Sequence, residues 1–188
     1  MTMRHRQPSV GRVIPKRGMS RLIILLALTF TVGCSDRIER AQIEADKAAA
    51  LLEAGDLAGA RVAIAKAMKL KEDQLPIILL DAQIKMRAGD LIGAFDSYNL
   101  AASIDSGNSE ALNGVALLGI FVGDDLRALE FAARILMVDP NNVNAKMIKG
   151  IAYINQRKFD ESRKLGESIL ATDPSSDQGT VLLARSKF

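Results

Sequence analysis

The chain has 188 residues and is 48% hydrophobic, enough for one domain-sized core, while eight aromatics without a tryptophan argue against a β-sandwich or an aromatic-lined ligand site. The formal charge of +3 misleads. Six of the 25 basic residues (Arg4, Arg6, Arg12, Lys16, Arg17, Arg21) fall in residues 1–33, which hold no acid, and the other 19 face 22 acidic residues, a net of −3. A mildly acidic body without a basic stripe does not read as a nucleic-acid binder.

The first predicted element is a leader. Basic residues end at Arg21 and an apolar run of 11, Leu22 to Val32, follows. A spanning helix needs about 20 such residues, so the run fits the apolar core of a secretory signal peptide over 1–33. Met19 is a possible true start, since Met19-Ser20-Arg21 already supplies a short basic region. Thr31-Val32-Gly33-Cys34 resembles a bacterial lipobox, with threonine where leucine is usual. The resemblance implies lipidation at Cys34, a tethered linker over 34–40, and residence at the periplasmic face of the outer membrane, because Ser35 rather than aspartate follows the cysteine. The alternative is an ordinary signal peptide and a soluble periplasmic protein. Lipid chains contribute about 0.8 kcal/mol per buried CH₂, so two or three chains would anchor the protein durably.

Beyond the leader, one pattern returns every 34 residues. Gly55-Asp56-Leu57 recurs as Gly89-Asp90-Leu91, as Gly123-Asp124 with Leu126 displaced by one, and as Arg157-Lys158-Phe159 without the Gly-Asp pair. A period of this length means stacked helix-turn-helix units, here 41–74, 75–108, 109–142 and 143–176. Positions 8 and 20 of every unit are small (Ala48, Ala60, Ala82, Ala94, Ala116, Ala128, Gly150, Ser162), which lets paired helices approach closely. The glycines suit a left-handed residue closing the first helix, and the aspartates suit a cap on the second. Leu57, Leu91 and Phe159 would wedge under the turn, with Leu126 replacing Asp125 in the third unit. Asp139-Pro140 and Asp173-Pro174 would end second helices. The spacing predicts helices over 38–54 and 57–70, 75–88 and 91–104, 109–122 and 126–138, 143–156 and 160–171. Residues 177–188 read as a capping or truncated helix, or as an open end pairing through Leu182, Leu183 and Phe188.

With these small residues, Tyr153 at position 11, Phe159 at position 17 and the Asp-Pro turns, residues 38–188 resemble the tetratricopeptide-repeat family. Asp81 and Lys85 depart from it, standing at positions that are usually apolar. The resemblance implies an all-α, right-handed α-solenoid of about four repeats plus a short C-terminal helix. It also implies a concave groove lined by positions 2, 5, 9 and 12 of the first helices. These are Leu79, Gln83, Met86, Asn113, Leu117, Ile120, Asn144, Met147, Ile151 and Ile154, flanked by Gln42, Ala45, Ala49, Leu52, Pro76 and Glu110. So apolar a lining suits an apolar helix or an extended peptide, with Met86 and Met147 adapting to its shape. The expected partners are proteins or peptides of the envelope.

No catalytic constellation emerges. Cys34 and His5 are single, so neither a Ser-His or Cys-His pair in the body nor a Cys/His metal site can be assembled. Gly114, Gly119 and Gly123 are followed by no Gly-Lys-Ser/Thr, and Asp124-Asp125 sit at a turn where capping explains at least one of them. Glu39, Asp46 and Glu53 lie about 10 Å apart along a helix, too far to share one metal ion. No metal or cofactor is expected. The sequence therefore predicts a membrane-anchored scaffold, pilotin-like or an assembly factor for a pilus, secretion or export system; a carboxylate-only enzyme on a helical scaffold stays as a third reading.

Overall fold

The computed structural model describes residues 36–187. Cys34, the signal-peptide reading, the start at Met19 and Phe188 lie outside the described residues. The chain divides after Arg37, and the repeats occupy the unit from Ile38 onward.

Every regular element among the described residues is a helix. In chain order they are α1 (residues 36–53), α2 (Leu57–Leu70), α3 (Leu75–Arg87), α4 (Leu91–Ile104), α5 (Ser109–Val122), α6 (Asp125–Val138), α7 (Val143–Asn155), α8 (Phe159–Thr172) and α9 (Asp177–Arg185). Each helix packs on the next along the chain from α2 to α9. The contacts that skip a helix join α5 to α7 and α7 to α9. The first helices of the third and fourth units and α9 therefore touch in turn, on one side of the stack, here called the inner face.

The turns within units show why the pattern recurs. Gly55, Gly89 and Gly123 have φ of 79°, 77° and 81°, a region that costs any residue with a Cβ. The residue after each glycine donates its N–H to a carbonyl five residues back, as Asp56 does to Leu51 at 2.9 Å, Asp90 to Lys85 at 2.9 Å and Asp124 to Gly119 at 2.8 Å. The same aspartates then accept from the first turn of the following helix, from the N–H of Gly59 (2.8 Å), Gly93 (2.9 Å) and Arg127 (3.1 Å). The fourth unit keeps the backbone without the favourable residues. Arg157 takes φ 59°, Lys158 donates to the Tyr153 carbonyl at 2.8 Å, and no side chain caps α8.

The turns between units carry a second set of caps that the sequence reading missed. Asn108, Asn142 and Ser176 accept from the N–H of Ala111, Ala145 and Gly179. Asp105, Asp139 and Asp173 fold each linker by accepting from the N–H two residues on. Lys71 stands where those aspartates stand and instead pairs with Asp73 at 3.4 Å.

Positions 8 and 20 are buried in all four units, so the paired helices meet through small residues and close tightly. Ile77 and Ile84 of α3 belong to one apolar cluster with α1 and α2, whereas Ile78 and Ala82 belong to the cluster running on toward α7. One helix thus serves both neighbours. The two departures from the family pattern meet each other: Lys85 Nζ reaches Asp81 Oδ2 at 2.7 Å, and the Ser97 hydroxyl donates to the same oxygen at 2.6 Å. A polar triad replaces apolar packing between α3 and α4.

Two expectations are corrected. Leu126 does not wedge under the third turn; it is 76% exposed. Helix α6 begins at Asp125, so Asp125 keeps the register of Leu57, Leu91 and Phe159 while Leu126 is rotated about 100° away. Asp125 gains the helix N-terminus and a hydrogen bond from Asn155 Nδ2 at 2.8 Å. At the far end Leu182 is fully buried and sits where a Cβ on Gly150 would stand 2.7 Å away. Helix α9 thus covers α7 and α8 with Leu182, which is no part of an open pairing surface.

Candidate functional site

The inner face is built by α3, α5 and α7, whose buried sides fix what the opposite sides present. On α5, Ala111, Leu112, Val115, Ala116 and Leu118 are buried, which leaves Asn113 and Leu117 exposed and Ile120 half-buried. On α3 the same logic leaves Met86 exposed and Leu79 and Gln83 half-buried; on α7 it leaves Asn144 exposed and Met147, Ile151 and Ile154 half-buried. None of these ten side chains is buried. Met86 and Leu117 are 41% and 43% exposed.

Helix α5, which carries Leu117 and Ile120, contacts helix α7, which carries Met147, Ile151 and Ile154. Leu79 and Ile120 also pack against the core below them. Phe121, one turn beyond Leu117, adds a 66% exposed ring that the chosen spacing passed over. The i, i+4 relation to Leu117 was the available signal. Ala45 and Leu52 do not line the surface: at 5% and 3% exposure they are buried. Helix α1 turns them inward toward the second unit, where the Arg87 guanidinium reaches the Leu52 carbonyl at 3.3 Å.

The amides on this face are engaged within the protein. Gln83 Nε2 donates to Glu110 Oε1 at 2.7 Å, Asn113 Nδ2 to the Ser109 carbonyl at 2.7 Å, and Gln178 Nε2 to Asn144 Oδ1 at 3.1 Å. The Tyr98 hydroxyl faces Glu110. Burial, and after it the Glu110 carboxylate, push the Tyr98 phenol up to about 12. The ring is admitted beneath α5 because position 114 is glycine: a Cβ there would lie 2.4 Å from ring carbons.

Among the described residues, no three His, Cys, Asp or Glu side chains are grouped to hold a metal ion, and no helix is long and apolar enough to cross a membrane. What the arrangement offers is a largely uncharged face with accessible apolar side chains on α3, α5 and α7.

Solved structures decide the fold. A tetratricopeptide repeat protein from Parabacteroides merdae superposes with a TM-score of 0.70 at 22% identity, over 79% of this chain and 59% of that one. The fold is that of a tetratricopeptide-repeat solenoid. The MamA protein gives a TM-score of 0.72 at 18% identity, covering 79% of this chain and 81% of that one. YrrB, described as a tetratricopeptide-repeat protein with an unusual peptide-binding site, gives 0.65 at 16%, covering 84% and 90%. At these identities the likeness is one of fold. No protein-family model and no curated protein matches the sequence.

Proposed function

We propose that the protein is a tethered scaffold of the bacterial envelope that holds a segment of a partner protein on the inner face of its solenoid. The observation that carries this reading is the apolar strip of Met86, Leu117, Phe121, Met147, Ile151 and Ile154, left accessible on helices whose other sides are packed. Apolar side chains at helical spacing on a rigid wall suit an amphipathic helix or an extended peptide. Likeness in fold to a protein described as having a peptide-binding site agrees with such a use. Replacing Leu117 and Ile151 together by Asp puts two charges into the strip without touching the core. Capture of envelope partners should fall at least ten-fold while helicity is kept. Undiminished capture by a folded double variant contradicts the reading.

The tether rests on the sequence of residues 22–35. An assembly or pilotin-like role for a pilus, secretion or export system follows from combining an anchor at Cys34 with a protein-binding surface, at the periplasmic face of the outer membrane. Palmitate labelling tests the anchor: incorporation should occur and vanish in Cys34→Ser. A mature, unlabelled protein would instead be the soluble periplasmic adaptor.

A further inference from the structure

The inner positions of the second, third and fourth units carry one charged residue, Glu110, and its surroundings are unusual for a surface carboxylate. It is half-buried and held by the Gln83 amide of α3 at 2.7 Å, with the Tyr98 hydroxyl of α4 facing it. Tyr98 is itself 4% exposed and packed under Gly114, so the carboxylate lies between a buried ring and the Gln83 amide that orients it.

Among the described residues no Lys or Arg forms an ion pair with it. The first helices α3, α5 and α7 supply four cations, and each is spent elsewhere. Lys85 is on Asp81 at 2.7 Å, and Arg87 is on Glu53 at 3.4 Å. Lys146 donates to the Ser168 hydroxyl at 2.8 Å, and Lys149 lies over the Tyr153 ring. A half-buried anion without a counter-charge is a cost to folding that a ligand can offset. Gln83 gives one of its two amide hydrogens to Glu110, and the remaining lone pairs of the carboxylate can accept hydrogen bonds from what lies in the groove. Pre-positioning also lowers the ordering cost of a charge-assisted bond.

We propose that the segment held on the inner face carries a lysine or arginine that pairs with Glu110, followed by apolar side chains that lie along Leu117, Phe121 and Ile151. This rests on the inner face being the binding surface. Complementarity then selects a basic-apolar segment, the opposite of a terminal carboxylate or an acidic peptide.

A random twelve-residue peptide library, selected on the purified full chain, tests the pairing. Glu110→Gln keeps the size and the hydrogen-bonding oxygen that Gln83 uses but removes the charge. Peptides selected on the unchanged protein should be enriched in Lys or Arg next to an apolar run. A selected peptide should lose about ten-fold or more in affinity for Glu110→Gln, in keeping with bonds to charged groups. Its norleucine analogue should bind both proteins alike. Selected peptides without basic enrichment, or equal affinity of the basic peptide for both proteins, overturn the pairing. The Leu117→Asp, Ile151→Asp protein separates the two layers: loss of all selected peptides there, without basic enrichment, refutes only the pairing, whereas their full retention refutes the groove as well.

Discussion

The ring of Tyr98 occupies the space where a side chain at Gly114 would begin, with a separation of 2.4 Å between a Cβ there and the ring carbons. Gly114→Ala should therefore force the ring or α5 to shift. Alanine returns about 1 kcal/mol of helix propensity, while overpacking costs about 1–3 kcal/mol. A net loss of up to about 2 kcal/mol in urea unfolding is the expected result. Asn113→Ala, next to it but exposed, should stay within about 0.5 kcal/mol.

Opposite signs are expected at equivalent turns. Gly89→Ala places a Cβ at φ 77° with open space around it, so the cost is purely conformational, about 1 kcal/mol. Arg157→Gly relieves that cost at φ 59° and should raise stability by about 0.5–1 kcal/mol. Thermal unfolding of the two variants checks this, and shifts of the same sign would contradict the turn chemistry.

Tyr98 sets an alkaline signature. Its folded pKa is raised from 10 to about 12, first by burial and then by Glu110. Above pH 10 the unfolded chain gives up this proton while the folded protein keeps it. Stability from this group is thus complete below pH 10 and declines as pH climbs toward about 12. Absorbance titration should show one of the two tyrosines ionising late, and Tyr98→Phe should flatten the decline relative to the unchanged protein. A Phe variant with the same slope would contradict the assignment.

Asp81, at 8% exposure, depends on Lys85 and Ser97. Lys85→Met alone strands the carboxylate and should cost about 2–3 kcal/mol, less than in a wholly buried pair because Lys85 is partly exposed. Asp81→Leu together with Lys85→Met should recover most of that loss in chemical denaturation. A double variant weaker than the single would show that the triad itself holds α3 to α4.

Most of the fold could be read from the chain because the repeat places the same demand at each interval. Ala60, Ala94 and Ala128 must let helices close, and Gly55, Gly89 and Gly123 must turn left-handed; either demand is met by few residues. The inter-unit caps at Asn108, Asn142 and Ser176 escaped because several residue types can cap and they vary between units. Leu126 misled because hydrophobicity was weighed over register, whereas the helix start at Asp125 fixes which way it faces. The inner face was legible as a set of positions. The rotation of α1 that buries Ala45 and Leu52, and the approach of Gln83 and Tyr98 to Glu110, depend on contacts between units that no single repeat reveals.

The most direct test of the inner face as the binding surface is photocrosslinking in cells from a benzoylphenylalanine placed at Leu117, compared with one at Met137, which is 76% exposed on a second helix. The account predicts discrete adducts to a protein partner from position 117, far fewer from 137, and their loss when Ile151→Asp is added. Equal adducts from both positions, or adducts from 117 that survive Ile151→Asp, would contradict it.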